Sequence, residues 1–251
     1  MTYLTGFHAI EERIKSGRPC GPLLVAKAGP RAREIVSLAI IKKVRIDRVG
    51  TFDLDGLAPD HKGIALQTED ESDSVDISLE DFLANLENRD LKNQGSEERC
   101  DSLVLILDEI TDPHNYGAIL RSCDQFGVDL VIGRNRRSAK NAGVISQTSA
   151  GAVSWVAQAE VSNLVRAMDD LKEAGFWIYS ADMEGDPVYT KDLNGRVALV
   201  LGSEGSGISR LLRERCDAMV GIPSYGRIES LNVSVAAGVL LYEVRRQRKP
   251  N

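Results

Sequence analysis

The sequence has no uninterrupted apolar run that approaches the roughly 20 residues a membrane-spanning helix requires. Its first 17 residues carry charged side chains where a secretory leader would be apolar, so we expect a cytoplasmic protein. The four cysteines are far apart and form no C-x-x-C pair, so neither a zinc site nor a disulfide framework is indicated. The three histidines are equally scattered, and no metal site is expected.

The chain also lacks the basic balance of a typical nucleic-acid-binding protein, because its formal net charge is −6. The balance differs strongly between segments. Residues 1–68 hold 11 Lys and Arg against 7 Asp and Glu, residues 69–102 hold 3 against 12, and residues 103–251 hold 17 against 18. The acidity is therefore confined to one stretch, and the charge permits RNA binding without requiring it.

That acidic stretch divides the chain. Residues 71–101 are polar with one weak helical patch and are predicted to form a linker. Residues 1–70 combine short helical and strand patterns, which predicts a small α/β domain. Its basic residues are a candidate RNA-binding surface, although a solvated helix face explains them equally well. They lie within 22 positions: Lys27, Arg31, Arg33, Lys42, Lys43, Arg45 and Arg48.

Residues 102–251 alternate short apolar strand patterns with helical patterns, which predicts an α/β domain whose mostly parallel sheet is covered by helices on both faces. In such sheets, ligands bind beyond the carboxyl ends of the strands. The loops at these ends are therefore the candidate functional segments, and three of them have unusual sequences.

The first of these loops opens a helix. Asp112 and Pro113 are an ordinary N-cap and N1 pair. Asn115 and Gly117 are poor helix formers for a first turn, which favours a close contact at this point. Arg121 follows on the same helix and, taken alone, is typical of a surface cation.

The second loop is a glycine-rich turn directly after a strand, with Gly202, Gly205 and Gly207. Glycine lets a backbone approach a ligand closely, although a turn into a helix without any ligand fits the same residues. The spacing matches neither a P-loop nor G-x-G-x-x-G. Glu204, between glycines at the mouth of the sheet, is placed to bind a ligand or to hold an arginine.

The third loop follows a strand that ends at Ile222 and leads into a long apolar helix. Ser230 and Asn232 flank Leu231 at the start of this helix, and an N-cap role accounts for only one of the two polar residues. The helix is apolar on more than one face, which predicts burial in the core or at a subunit interface.

Taken in order, these loops resemble the three motifs of the SpoU/TrmH family within the SPOUT superfamily. The motifs are N-x-G-A-x-x-R at residues 115–121, L-G-S-E-G-x-G at 201–207 and I-P-x-x-G-x-x-x-S-L-N-V-S-V-A at 222–236. The resemblance covers residues 103–251, and residues 6–66 resemble the family's ribosomal-protein-like RNA-binding domain. Within the family, the chain is most similar to bacterial members that methylate a guanosine ribose in large-subunit (23S) ribosomal RNA.

The resemblance implies S-adenosylmethionine-dependent ribose 2'-O-methylation of RNA. It also implies a homodimer with each active site near the subunit interface, and a C-terminal trefoil knot made by threading residues 222–231 through an earlier loop. The cofactor would be held largely by backbone groups at Gly202, Ile222 and Leu231.

We expect Arg121 to grip a phosphate and stabilise the developing alkoxide electrostatically. It would not act as the general base, because an arginine effectively never gives up its proton, and the phosphate or a water would take the proton of the hydroxyl. Asn115, Ser230 and Asn232 would orient the ribose and phosphate, and Glu204 would position Arg121 or Asn115. The reaction needs no metal.

Two main alternatives stay open at this point, and a third is narrower. One is a transfer-RNA ribose methyltransferase of the same family, against which the separate N-terminal domain argues only by analogy. The other is a non-catalytic RNA-binding or ribosome-assembly protein with the same fold. A methyltransferase that confers antibiotic resistance would modify an adenosine instead.

Overall fold

Two separate β-sheets divide the chain into two α/β domains in a computed structural model. The structure describes residues 2–15, 20–58, 61–68, 75–92, 100–134, 139–203, 205–227 and 230–248.

The N-terminal domain is built on a four-stranded sheet with the order β1-β4-β2-β3. Strands β2 and β3 are parallel, whereas β4 is antiparallel to both of its neighbours. Alternate residues of the inner strands face opposite sides, so α1 and α2 pack on one face and α3 on the other. The elements are β1 (Thr2–Leu4), α1 (Phe7–Lys15), β2 (Leu23–Val25), α2 (Pro30–Ile41), β3 (Ile46–Arg48), α3 (Thr51–Leu57) and β4 (Ile64–Thr68).

The C-terminal domain contains a seven-stranded sheet in which every pairing is parallel, with the order β11-β9-β10-β6-β7-β8-β5. Its strands are β5 (Val75–Asp76), β6 (Ser102–Leu107), β7 (Leu130–Gly133), β8 (Ala157–Glu160), β9 (Trp177–Pro187), β10 (Arg196–Leu201) and β11 (Ala218–Gly221). Its helices are α4 (Leu79–Lys92), α5 (Pro113–Gln125), α6 (Ala139–Thr148), α7 (Leu164–Glu173), α8 (Arg210–Arg215) and α9 (Val233–Gln247).

Helices cover both faces of this sheet, as the apolar strand patterns predicted. Along β6, Leu103, Leu105 and Leu107 pack into a core with residues of α5 and α9. Val104 and Ile106 point the other way, into a core with residues of α4, α7 and α8. Burial on both faces explains why the strands read as continuous apolar runs and not as alternating ones. The expected parallel α/β architecture is confirmed.

The acidic segment differs from the expected linker. Within it, β5 pairs with β8 at the edge of the large sheet, and α4 packs on the sheet through Leu79, Phe82 and Leu86. These three residues recur at helical spacing and form an apolar stripe, which the surrounding acidic residues conceal in a composition count. Residues 75–92 therefore belong structurally to the C-terminal domain.

Helix α9 has one apolar face in the core and a second in contact with solvent. Val233, Ala237 and Leu240 are buried. The exposed stripe comprises Leu231, just before the helix, together with Val235, Val239 and Tyr242. No helix in the described ranges is long and apolar enough to cross a membrane.

Candidate active site

The second and third loops close around a cavity of about 880 Å³ at the carboxyl end of the large sheet. Its walls come from the segments after β10 and β11, the middle of β9 and the start of α9. The cavity lies within the size range typical of small-molecule and cofactor sites. Five residues predicted from the sequence line it: Gly202, Ile222, Ser230, Leu231 and Asn232.

The glycine-rich turn after β10 is folded back on itself. Ser203 and Gly207 exchange two backbone hydrogen bonds of 3.2 and 3.0 Å, and Gly207 adopts φ +65°. A Cβ at Gly202 would lie 2.1 Å from the carbonyl carbon of Gly207, so no other residue fits there without moving the backbone. The glycine pattern therefore builds a tight wall that presents backbone groups to the cavity.

Two further glycines, which the sequence reading did not single out, bring β9 and β11 together behind this wall. A Cβ at Gly185 would meet the carbonyl carbon of Val220 at 2.5 Å, and one at Gly221 would meet the carbonyl oxygen of Gly185 at 2.8 Å. The register between the two strands shifts at this point, which is a local irregularity of the sheet. Gly185 lies in a polar stretch that gave no periodic signal.

A side-chain hydrogen bond joins the first loop to the third. The Asn232 amide nitrogen Nδ2 donates to Oδ1 of Asn115 at 3.0 Å. Asn232 is also the N-cap of α9, because its Oδ1 accepts from the backbone nitrogen of Ser234 at 2.9 Å and from its hydroxyl at 2.6 Å. The structure thus brings together two of the expected catalytic residues, which are 117 positions apart in the chain.

Asn115 and Gly117, the poor helix formers at the start of α5, are explained by different contacts. Asp112 caps the helix by accepting from the backbone nitrogens of His114 and Asn115. A Cβ at Gly117 would lie 2.5 Å from Oγ1 of Thr148 in α6. The close contact expected at Gly117 is therefore helix packing against α6, whereas Asn115 faces the start of α9.

Arg121 is not brought to the cavity of its own chain. It is exposed on α5, six residues beyond Asn115, and is not among the residues that line the cavity. Glu204 lies outside the described residues, so its expected contact with Arg121 or Asn115 stays a prediction.

Charged residues that were not predicted from the sequence form contacts that stabilise the surroundings of the cavity. Asp108, 1% exposed at the end of β6, accepts from the backbone nitrogen of Ser209 at 2.8 Å and so ties the start of α8 to the sheet. Arg213 of α8 forms an ion pair with Asp182 of β9 at 2.6 Å, and both line the cavity. No local pattern in the sequence distinguishes these residues from surface charges, because their partners are distant in the chain.

The fold and the site are those of a protein that binds a nucleotide-like cofactor. A parallel α/β sheet with a glycine-walled cavity beyond its carboxyl ends is the usual setting for a nucleotide-like cofactor. In the described part of the chain, no three His, Cys, Asp or Glu side chains form a group that could hold a metal ion. The lining combines backbone groups with apolar side chains such as Leu201, Ile222 and Leu240.

Comparison with known families identifies the chain within this class. Residues 102–242 match the SpoU rRNA Methylase family, and residues 3–73 match the substrate-binding domain of RNA 2'-O ribose methyltransferases. The chain belongs to the SpoU family and is an RNA 2'-O-methyltransferase.

Individual relatives agree with this assignment. The chain is 37% identical to the 23S rRNA (guanosine-2'-O-)-methyltransferase RlmB of Neisseria meningitidis, over 97% of this chain and 94% of that protein. It is 39% identical to an uncharacterized tRNA/rRNA methyltransferase of Borreliella burgdorferi, over 88% of this chain and 96% of that protein. Its fold resembles the SpoU methyltransferase AviRb of Streptomyces viridochromogenes in complex with the cofactor AdoMet, with a TM-score of 0.70, 24% identity and coverage of 98% and 89%.

Proposed function

We propose that this enzyme transfers a methyl group from S-adenosylmethionine to the ribose 2'-oxygen of a guanosine in 23S ribosomal RNA. The observation that carries the proposal is the convergence of the second and third motifs on one cavity, with the first motif tied to its rim through Asn115 and Asn232. The Neisseria relative, similar over nearly the whole chain, favours a 23S guanosine. An enzyme with this substrate would act in the cytoplasm.

The cavity fits the cofactor. Gly202, Ile222 and Leu231 line it and would hold S-adenosylmethionine through backbone groups, and apolar side chains such as Leu201 and Leu240 complete the lining. When bound, the cofactor supplies an electrophilic methyl group on its sulfonium. The wall that Gly202 and Gly207 form is pre-organised by backbone hydrogen bonds, so little ordering is needed on binding.

The polar rim supplies orientation. Methyl transfer requires the ribose hydroxyl to lie in line with the sulfonium methyl, and a small misplacement costs much of the rate. Ser230 and Asn232 line the cavity, and Asn232 is fixed by its cap and by Asn115. We assign the side chains of Asn115, Ser230 and Asn232 to holding the ribose and its phosphate. We assign Glu204 to positioning Asn115 or Arg121.

The exposed stripe of α9 supports a homodimer. Leu231, Val235, Val239 and Tyr242 form a row on the outer face of the helix that begins at the cavity. A second copy covering this row would remove the apolar surface from water, which is the main driving force of association. The cavity would then lie next to the subunit interface.

Arg121 has its role in this dimer. Its helix, α5, packs beside α9, since a Cβ at Gly238 would lie 3.6 Å from the hydroxyl of Ser122. Arg121 is exposed and away from its own cavity, so we assign it to the partner's cavity, where it would grip the phosphate and stabilise the developing alkoxide.

Subunit complementation tests this assignment. Arg121→Ala and Asn232→Ala would each be inactive alone, but mixed dimers would regain activity, because one of the two sites would then be intact. If Arg121 acts within its own chain, every site in the mixed dimer carries a defect and no activity returns. Analytical ultracentrifugation of the wild type, and of a Val235→Asp variant, checks the dimer independently.

The target is tested in cells with and without the gene. Primer extension at low nucleotide concentration maps 2'-O-methyl groups on ribosomal and transfer RNA. We expect one stop at a 23S guanosine to vanish in the deletion strain. Loss of a transfer-RNA stop would move the assignment to the alternative substrate, and unchanged maps on both RNAs would defeat the proposal.

A further inference from the structure

The basic cluster of the N-terminal domain is split by the fold into two groups. Helix α2 is 12 residues long, which separates its ends by about 18 Å. Lys42, Lys43 and Arg45 follow α2 and lie where β3 begins. Lys27 and Arg48 lie at the opposite end of the sheet, where β2 and β3 end. Phe52, in the first turn of the helix that follows β3, lies at the same end, which we therefore call the Phe52 edge.

Backbone hydrogen bonds assemble the Phe52 edge. The backbone nitrogen of Val49 donates to the carbonyl of Val25 at 3.1 Å, so Arg48 lies beside the end of β2. The nitrogen of Lys27 donates to the carbonyl of Gly63 at 3.0 Å, which brings the segment before β4, with Lys62, to the same place. Helix α3 starts at this edge, two residues after Val49, and carries Phe52 in its first turn.

Phe52 is 89% exposed. A single exposed apolar residue is ordinary, but burying a phenylalanine ring is strongly favourable, and this ring lies at the same end of the sheet as the exposed cations Lys27 and Arg48. The other four phenylalanines of the chain are buried or half-buried: Phe7, Phe82, Phe126 and Phe176. Helix α3 is held in the core through Leu54 instead, so Phe52 makes no evident contribution to folding.

The charged residues at the Phe52 edge differ in the contacts that they make within the chain. Asp55 accepts a hydrogen bond from Nε2 of His61 at 2.9 Å, and Asp53 lies in the first turn of α3, where a carboxylate is favourable at the helix N-terminus. Lys27 and Arg48 are exposed and pair with no carboxylate among the residues that the structure describes. Lys27 and Arg48 are therefore available to bind the phosphates of a partner.

From this geometry we propose that the Phe52 edge is where the N-terminal domain grips RNA, with Phe52 stacking on an unpaired base and Lys27 and Arg48 contacting the flanking phosphates. The inference rests on the proposed function, since it deepens how that enzyme recognises its substrate. Aromatic stacking with adjacent cations is the usual way in which proteins hold single-stranded RNA, and it requires an exposed ring of this kind. The edge at Lys42 and Lys43 has cations and exposed Ile40 and Ile41, but Phe52 is the one strongly exposed aromatic ring among the described residues of the N-terminal domain.

Two matched pairs of variants test the proposal in the full-length enzyme, with a fluorescent RNA hairpin carrying an unpaired loop as probe. Phe52→Leu should weaken binding about tenfold, because it keeps apolar bulk but loses the π face, whereas Phe52→Tyr should bind like the wild type. The double variant Lys27→Ala/Arg48→Ala should lower the slope of log K against log salt by about 1.4, corresponding to two phosphates of a single strand. The double variant Lys42→Ala/Lys43→Ala removes the same charge from the opposite edge and should leave the slope unchanged.

Each result of these measurements bears on a different part of the proposal. Equal binding of the hairpin by the leucine and tyrosine variants would show that the aromatic ring is not needed and would overturn base stacking. An equal salt effect of the two charge pairs would overturn the choice of edge. Methylation of 23S RNA by the wild type is measured in parallel: its absence would refute the proposed function, whereas normal wild-type methylation with unaffected Phe52 variants would refute only this inference. Unchanged S-adenosylmethionine affinity in every variant shows that the C-terminal domain is intact.

Discussion

Replacing Asn232 by aspartate should separate its two structural roles. The side-chain Oδ1 caps α9 by accepting from Ser234, and Nδ2 donates to Asn115 at 3.0 Å. Aspartate preserves the cap, since Asp and Asn are equally good N-cap residues, and its charge is favourable at a helix N-terminus. It replaces the donor by a second oxygen, which then faces Oδ1 of Asn115.

The expected changes in the free energy of unfolding and in the rate of methyl transfer follow from these contacts. Asn232→Asp loses one exposed hydrogen bond worth about 1 kcal/mol and gains about 0.5 kcal/mol from the helix dipole, so the free energy of unfolding should change little. Asn232→Ala loses the cap as well, at about 1 kcal/mol, and should be destabilised by about 2 kcal/mol in total. Methyl transfer should fall by about a hundredfold or more in both variants, because the ribose loses its orientation and the aspartate also repels the phosphate.

Urea unfolding gives the stabilities, calorimetry the affinity for S-adenosylmethionine, and transfer of a labelled methyl group the activity. We expect the aspartate variant to unfold like the wild type and to bind the cofactor, yet to be nearly inactive. Equal destabilisation of the two variants would show that Asn232 does not cap α9. Wild-type turnover by the aspartate variant would show that the bond to Asn115 has no part in catalysis.

Three further predictions concern packing, anchoring and thiol chemistry. Gly117→Ala should lower the free energy of unfolding by about 1 to 2 kcal/mol by overpacking against α6, whereas Gly143→Ala, which meets open space within its helix, should raise it by about 0.5 to 1 kcal/mol in the same urea experiment. Arg248, 5% exposed, donates to three backbone carbonyls, so Arg248→Ala should cost about 3 kcal/mol or more; a smaller loss would mean that water replaces the guanidinium. Burial raises the pKa of the Cys216 thiol to about 11 and that of Cys123 well above its usual range, so neither should react with a disulfide reagent at pH 8 until the protein is unfolded.

The parts of the fold that were predictable from the sequence have a local signal. Apolar strand runs predicted a parallel sheet buried on both faces, and the glycines after β10 predicted a tight turn. The tight turn is present, with Gly202 packed against the backbone of Gly207.

The parts that were missed depend on contacts between distant segments. The apolar stripe of α4 was hidden by its acidic neighbours, and the Arg213–Asp182 pair joins residues whose proximity only the fold determines. A close contact was expected at Gly117, but the sequence did not indicate that its neighbour would be Thr148 of α6. The trefoil knot implied by the family stays a prediction, since no pattern in residues 222–231 encodes how the chain threads.

The most direct test of the central claim is methyl transfer in vitro. Purified enzyme is incubated with methyl-labelled S-adenosylmethionine and 23S ribosomal RNA, and the RNA is digested to nucleosides. We predict that the label appears in 2'-O-methylguanosine. Label in a base-methylated nucleoside, or none in RNA under conditions where the cofactor binds, would contradict the account.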